Sequence, residues 1–177
     1  CFLLLSYMFM SLVYFSFLIM KIIGLRLSRY LFSFIFKLIG PIIRKNNIAI
    51  KNLLKFQKNL DREKQNEIIS KMWSNYGMTF VEYIFLKNFR KRNSHIKIEG
   101  EKILDTVLEN KKPVIFISGH FANFELMSME ITKKNINLAT IYRPLNNYFL
   151  NPFFAFLRVK FICNNQIKKG IGGVKEA

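Results

Sequence analysis

Residues 111–130 read KKPVIFISGHFANFELMSME, and this stretch decides the fold. Val114, Ile115, Phe116 and Ile117 form a short run of β-branched and aromatic residues behind Pro113, the pattern of a buried strand. Ser118, Gly119 and His120 supply a turn. From Phe124 to Ile131 a helical pattern follows, with Phe124, Leu126, Met127 and Ile131 apolar between polar positions. A strand that ends in Gly-His and runs into a helix sets an imidazole beside the free N–H groups of a helix N-terminus.

His120 and Glu125 stand five residues apart. Five residues of ideal helix turn by about 500°, which leaves such a pair about 140° apart around the axis. The two meet only if His120 lies in the turn and Glu125 in the first turns of the helix. In that arrangement a neutral imidazole takes a proton from an attacking hydroxyl. The carboxylate fixes the tautomer and stabilises the imidazolium. The plainer alternative is a histidine that caps the helix and a first-turn acid favoured by the helix dipole.

The residues on the N-terminal side carry a different signal. Residues 1–20, CFLLLSYMFMSLVYFSFLIM, hold no charge and match the hydrocarbon thickness of a bilayer. A signal-peptide core would be shorter and follow a basic segment, and a buried soluble helix would show a polar face. A membrane-spanning or deeply embedded helix is therefore expected. Nine basic residues follow between Lys21 and Leu60, and no acidic one. That run places the remainder of the chain on the cytoplasmic side. Leu, Ile and Phe interleave with the basic residues up to Ile43, which predicts a helix lying on an anionic membrane face and ended by Gly40-Pro41. The whole chain carries 28 Lys and Arg against 11 Asp and Glu, a net charge of +17. Such an excess calls for an anionic partner, and the apolar interleaving selects a lipid surface over nucleic acid.

The next segments read as helices. Residues 44–56 form a short one, and Asp61 caps a long amphipathic one that runs to Leu86. Gly77 marks a close crossing, and Glu82, near the apolar face, is either functional or a stripe-edge acid reaching water. Residues 88–93 read as a basic loop, and His95 to Glu99 alternate like an edge strand, with His95 solvated. Glu101 to Glu109 reads as a helix with Ile103, Leu104, Val107 and Leu108 inward. Residues 137–142, NLATIY, are a second strand, so strand 114–117, its helix and this strand make a βαβ unit. A helix from Phe153 to Val159 follows behind Pro152, and Phe161-Ile162 opens a further strand. Lys168 to Val174 is glycine-rich without the spacing of a phosphate-binding loop. Two histidines and the separated Cys1 and Cys163 leave no metal-site pattern, so neither a metal nor a cofactor is expected.

Taken together, the motifs resemble a family. GHFANFE at 119–125 is similar to the His-x4-Asp/Glu motif of membrane-bound glycerolipid-type acyltransferases. The chain more closely resembles the bacterial lipid A biosynthesis acyltransferases, the late lauroyl/myristoyl enzymes. The likeness runs through the apolar N-terminus, IRKNNIAIKNL at 43–53, NYGMTFVEY at 75–83 and IEG at 98–100. It continues in VIFISGHFANFELM at 114–127 and YRPLNNYFLNPFFAFLR at 142–158.

The resemblance implies an α/β fold: a membrane-embedded N-terminal helix, then a glycerolipid-acyltransferase-like domain around a mixed central sheet. Residues 1–43 would be anchor and interfacial helix, and 44–177 the N-terminal part of the catalytic domain. The family's members are longer, so a C-terminally truncated member with an incomplete sheet is expected. His120 matches the catalytic histidine and Glu125 its paired acid. Arg158 matches a family arginine that binds phosphate or helps the site, Arg143 the arginine of a strand-end turn, and Asn123 a frequent asparagine. Ala122 stands where the family usually has Gly, Phe124 where it has Trp, and Asn151 where it often has an acid.

The implied reaction moves an acyl chain from acyl carrier protein to a hydroxyacyl group of a lipid A precursor, at the cytoplasmic side of the bacterial inner membrane. His120 is the base, and Ser118 serves the turn. Arg158 or backbone N–H groups near Asn123 stabilise the oxyanion. Lys87, Arg90, Lys91 and Arg92 meet lipid phosphates or the acidic carrier, or are plain solvated surface. The alternatives are a glycerophospholipid acyltransferase and a non-catalytic membrane protein.

Overall fold

In a computed structural model, residues 2–91 and 96–170 are described. The chain divides into two compact units, Phe17–Ile84 on the one hand and Cys1–Ser16 with Phe85–Ala177 on the other.

Helix α1, Phe2–Ile43, begins in one unit and ends in the other. It breaks at Gly24, whose φ of 82° and ψ of 169° lie outside anything a side-chain-bearing residue adopts readily. The Ser28 hydroxyl, fully buried, donates to the Met20 carbonyl at 3.1 Å. Eight residues of straight helix would separate those groups by about 12 Å, so the chain bends sharply at Gly24. The expected end at Gly40-Pro41 falls short: the Arg44 N–H reaches the Gly40 carbonyl at 3.0 Å and closes one more turn around the proline. The stretch Tyr7–Ile43 is long and apolar enough to cross a membrane, and most of it is exposed.

In the unit Phe17–Ile84, the second half of α1 packs on α3, Arg62–Glu82, with α2, Asn47–Phe56, beside them. The Asp61 carboxylate accepts the Lys64 N–H at 2.7 Å and starts α3 as the sequence predicts. Gly77 is the expected close crossing: a Cβ there would stand 2.2 Å from the Phe32 carbonyl oxygen. Phe17, Phe32 and Phe36 surround Phe80 with ring centroids 5.4 to 5.8 Å away. Ser33 and Ser74 share a 2.6 Å hydroxyl bond between the helices. Glu82 does not reach water. It is buried, and its carboxylate lies 3.3 Å from the half-exposed Arg29 guanidinium.

The other unit holds α4, Leu86–Arg90; α5, Glu101–Asn110; α6, Glu125–Lys133; and α7, Leu150–Phe161. Strands β1, Ala139–Tyr142, and β2, Asn165–Lys168, pair in parallel with Ala139 opposite Asn165 and Tyr142 opposite Lys168. Tyr14 of α1 meets Phe153 edge to face at 5.2 Å.

Several expectations change here. The βαβ unit is β1–α7–β2, one step further along the chain than the spacing predicts. Residues 114–117 form no strand: among the described residues they pair with nothing, and Ile115 and Ile117 are 88% and 91% exposed. A β-rich composition describes what would suit a pleated, half-buried surface, and the strand forms only where partners supply one. Of the expected mixed sheet, two parallel strands are therefore present. Residues 96–99 are likewise irregular, and His95 and Arg92 lie outside the described residues, as do residues 171–174 of the glycine-rich stretch. Phe161 ends a helix, and the strand begins only at Asn165. Residues 88–90 continue α4, where Arg90 donates to the Phe161 carbonyl at 2.9 Å and the Thr132 hydroxyl at 3.2 Å. Arg90 thus ties α4 to α6 and to the end of α7 rather than lying free on the surface. In α5, Leu104 and Val107 are half-buried, whereas Ile103 and Leu108 face solvent.

Candidate functional site

The segment from Ser118 to Glu125 is a tight loop that delivers α6. The Phe121 N–H donates to the Gly119 carbonyl at 2.9 Å, which folds the chain back on itself around His120. Ala122 has φ of +45°, the left-handed region that costs an L-residue about 1 to 2 kcal/mol. The loop thus keeps its turn against a local strain. The Asn123 and Phe124 carbonyls accept from the Leu126 and Met127 N–H groups, and α6 is under way at Glu125.

His120 is exposed, and its ring lies against Phe124 at a centroid distance of 4.2 Å. Asn123 and Glu125 are buried. The Glu125 carboxylate accepts from Arg158 Nε at 2.7 Å, both side chains being nearly enclosed. Arg158 comes from α7, and its guanidinium carbon stands 5.6 Å from the centre of the Tyr142 ring at the end of β1. Arg143, the next residue, is exposed. The structure therefore gathers Glu125, Arg158 and Tyr142 into one cluster. His120, in the loop that leads to it, has its described contact with Phe124.

Tyr142 was not singled out from the sequence. Its place at a strand end, directly before Arg143-Pro144, is the only signal it offers. Asn151 acts locally, its Oδ1 accepting the Leu145 N–H at 2.8 Å and holding the loop that follows Arg143. Asn147 Oδ1 accepts the N–H groups of Phe149 and Leu150, both at 3.0 Å, and so starts the helix that carries Arg158.

The far end of α6 is fixed by charge. Lys134 lies 2.7 Å from Glu101 and 3.0 Å from Asp105 of α5, and these partners, Glu101 foremost, raise its pKa above the ordinary lysine value. Lys133 donates to the Phe89 carbonyl at 2.7 Å. Among the described residues no cluster of three or more His, Cys, Asp or Glu is placed to hold a metal ion.

Chemically, the arrangement offers an accessible imidazole, a helix N-terminus, and a buried carboxylate–guanidinium pair that keeps its geometry. A sequence model of the family described as bacterial lipid A biosynthesis acyltransferase matches residues 1–171. No curated protein and no solved structure matches the chain.

Proposed function

The chain belongs to the bacterial lipid A biosynthesis acyltransferase family, whose general roles are acyl transfer and membrane association, and from that premise we propose a specific reaction. The protein transfers a fatty acyl chain from acyl carrier protein to a hydroxyacyl group of a phosphorylated lipid A precursor. Residues 1–43 anchor it in the bacterial inner membrane, with residues 44–177 forming the catalytic part on the cytoplasmic side.

His120 is the general base. It takes the proton of the acceptor hydroxyl as that oxygen attacks the thioester carbonyl. A carbon–oxygen bond forms, the carbon–sulfur bond breaks, and the imidazolium returns its proton to the departing thiolate. The N-terminus of α6 lies next to the reacting carbon and stabilises the oxyanion through its N–H groups. Glu125 is a positioning residue, and Arg158 positions Glu125 in turn. The engagement of Arg158 with Glu125 and Tyr142 favours this role over direct phosphate binding. Arg143, exposed just after β1, meets a phosphate of the acceptor, a role that its exposure and full charge support.

The observation that carries this reading is the buried Glu125–Arg158 pair at the start of the helix into which the exposed histidine loop runs. Ion pairs of this kind contribute little stability over apolar packing, so a pair retained at a loop with an accessible base points to a positioning role. The test is an acyl-transfer assay in detergent with acyl carrier thioester and a hydroxyacylated, phosphorylated disaccharide lipid. His120→Ala is expected to lower the rate by a factor of about 10² to 10⁴ while vesicle binding persists. Full activity in that variant, or transfer to glycerol phosphate in preference to the disaccharide lipid, overturns the assignment.

A further inference from the structure

Within the unit Phe17–Ile84, a cleft of 660 Å³ opens between α2 and α3 at the point where α1 ends. Its volume lies in the range of pockets that enclose a small organic ligand. Leu53 and Ala49 of α2 line one wall, and Met72 and Trp73 of α3 the other. Arg44 and Lys45 stand at its rim, both exposed. The turn that carries them is held in place: Trp73 Nε1 donates to Asn46 Oδ1 at 2.9 Å. Gly40 lets α1 lie directly on the Trp73 ring, since a Cβ there would be 2.3 Å from it.

Three features identify the occupant. The walls are mainly apolar, with Asn46 and Asn52 among them, and Arg44 and Lys45 make the mouth cationic, which fits an amphiphile with a hydrocarbon tail and an anionic head. No carboxylate among the described residues is ion-paired with Arg44 or Lys45, none occurs in sequence between Lys21 and Leu60, and Glu67, the acid next to the α3 wall, is engaged by Lys64 and Lys71, so both cations are left for an anionic head. The cleft also continues the apolar surface of α1, where Ile42 and Ile43 are about four-fifths exposed. A bilayer lipid meeting that helix has the cleft directly at its end.

We propose that this cleft binds one anionic phospholipid, an acyl chain between α2 and α3 and its phosphate on Arg44 and Lys45. This site is distinct in sequence from the His120 loop, and binding there does not require that the His120 reaction be assigned correctly. Its role is to hold the end of α1 at an anionic membrane, beyond the general attraction of a basic surface.

Trp73 is the chain's one tryptophan and lines the cleft, so it reports occupancy directly. The full protein in detergent micelles is titrated with phosphatidylglycerol brominated on an acyl chain, and with brominated phosphatidylcholine. Quenching of Trp73 is expected at much lower concentration with the anionic lipid. The double variant Arg44→Gln, Lys45→Gln lies on the surface and leaves the fold intact. It is expected to weaken that lipid by about 30-fold and remove the headgroup preference. Ala49→Phe fills the cleft and should abolish quenching while the protein still sediments with anionic vesicles, and circular dichroism checks that its helices persist. Equal quenching by both lipids, quenching unchanged in Ala49→Phe, or no quenching at all overturns the proposal. Displacement of the brominated lipid by the hydroxyacylated disaccharide lipid in preference to phosphatidylglycerol also overturns it, because the cleft would then belong to the acceptor.

Discussion

The unit Phe17–Ile84 and the segment from Phe85 to Gly170 are built on opposite principles. The first is all helix. It is joined by ring clusters, a serine–serine bond and two glycines at which backbone or ring approaches closely. The second mixes short helices with two strands, and its helices are tied by charged side chains: Arg90 to Phe161 and Thr132, Lys134 to Glu101 and Asp105, and Arg158 to Glu125. Helix packing depends on shape, and a lost methyl or an added one is the injury to which it is sensitive. The charged ties depend on partners, so removal of one side strands the other. The candidate chemistry lies in the second region, where groups must hold charge in fixed places.

The largest expected effect tests that contrast at its buried ion pair. Arg158→Ala leaves the Glu125 carboxylate buried without its guanidinium and should destabilise this region by about 3 kcal/mol. Hydrogen exchange across residues 125–161 measures it. The further change Glu125→Ala should recover part of the loss, and a strictly additive double variant would show that the two residues do not act as a pair. Gly77→Ala is the counterpart in the helical unit. Its methyl meets the Phe32 backbone, which has no side-chain freedom to yield, so a loss of about 2 kcal/mol is expected. The denaturant midpoint followed by Trp73 fluorescence reads it, and an unchanged midpoint would mean that shape does not govern this crossing.

Smaller effects sharpen the comparison. Ala122→Gly relieves the positive φ of the His120 loop and should stabilise it by about 0.5 to 1 kcal/mol, seen as slower exchange of the α6 amides. A faster exchange would show that the strain is absent. At the exposed surface of α3, Glu67 is hydrogen-bonded to Lys64, the main cause of its lowered pKa, and to Lys71. Its carboxyl falls from the ordinary 4.5 to about 2. A depressed carboxylate stabilises the fold above its ordinary value and loses that contribution as pH falls toward the folded value. Helicity by circular dichroism should therefore drop slightly between pH 4.5 and 2, and Glu67→Gln should lack that component. Screening by solvent keeps this the smallest effect of the set. Indistinguishable acid curves for the two proteins would remove Glu67 from the account.

Helices α2 and α3 were legible because their apolar period, and the Asp61 cap of α3, are written within a few residues of each other. Gly77 was legible for a related reason: a glycine inside a strong helical period has few uses other than close approach. The strand at 114–117 was misread on equally clear local evidence, since its partner strands are not specified by its own residues. Glu82 shows the same limit. Its position at the apolar edge was visible, but the choice between water and Arg29 depended on how α1 returns across α3. At the site, His120, Glu125 and Arg158 could each be named from the motifs. That Arg158 holds Glu125 could not, because the two are 33 residues apart and lie on different helices.

By itself, then, the sequence determined the apolar N-terminal helix, the basic stretch behind it, the family to which the chain belongs, and two helices read at 44–56 and up to Leu86, which the structure trims to 47–56 and 62–82. These rest on composition and on contacts between residues no more than about four apart, which any chain segment carries within itself. Only the tertiary structure decided the bend at Gly24, the β1–β2 pairing, the inward turn of Arg90 and the burial of Glu125 against Arg158. A strand without its neighbour leaves its backbone groups unsatisfied, and a buried charge without its partner is too costly to keep. Both requirements are met only when distant parts of the chain come together.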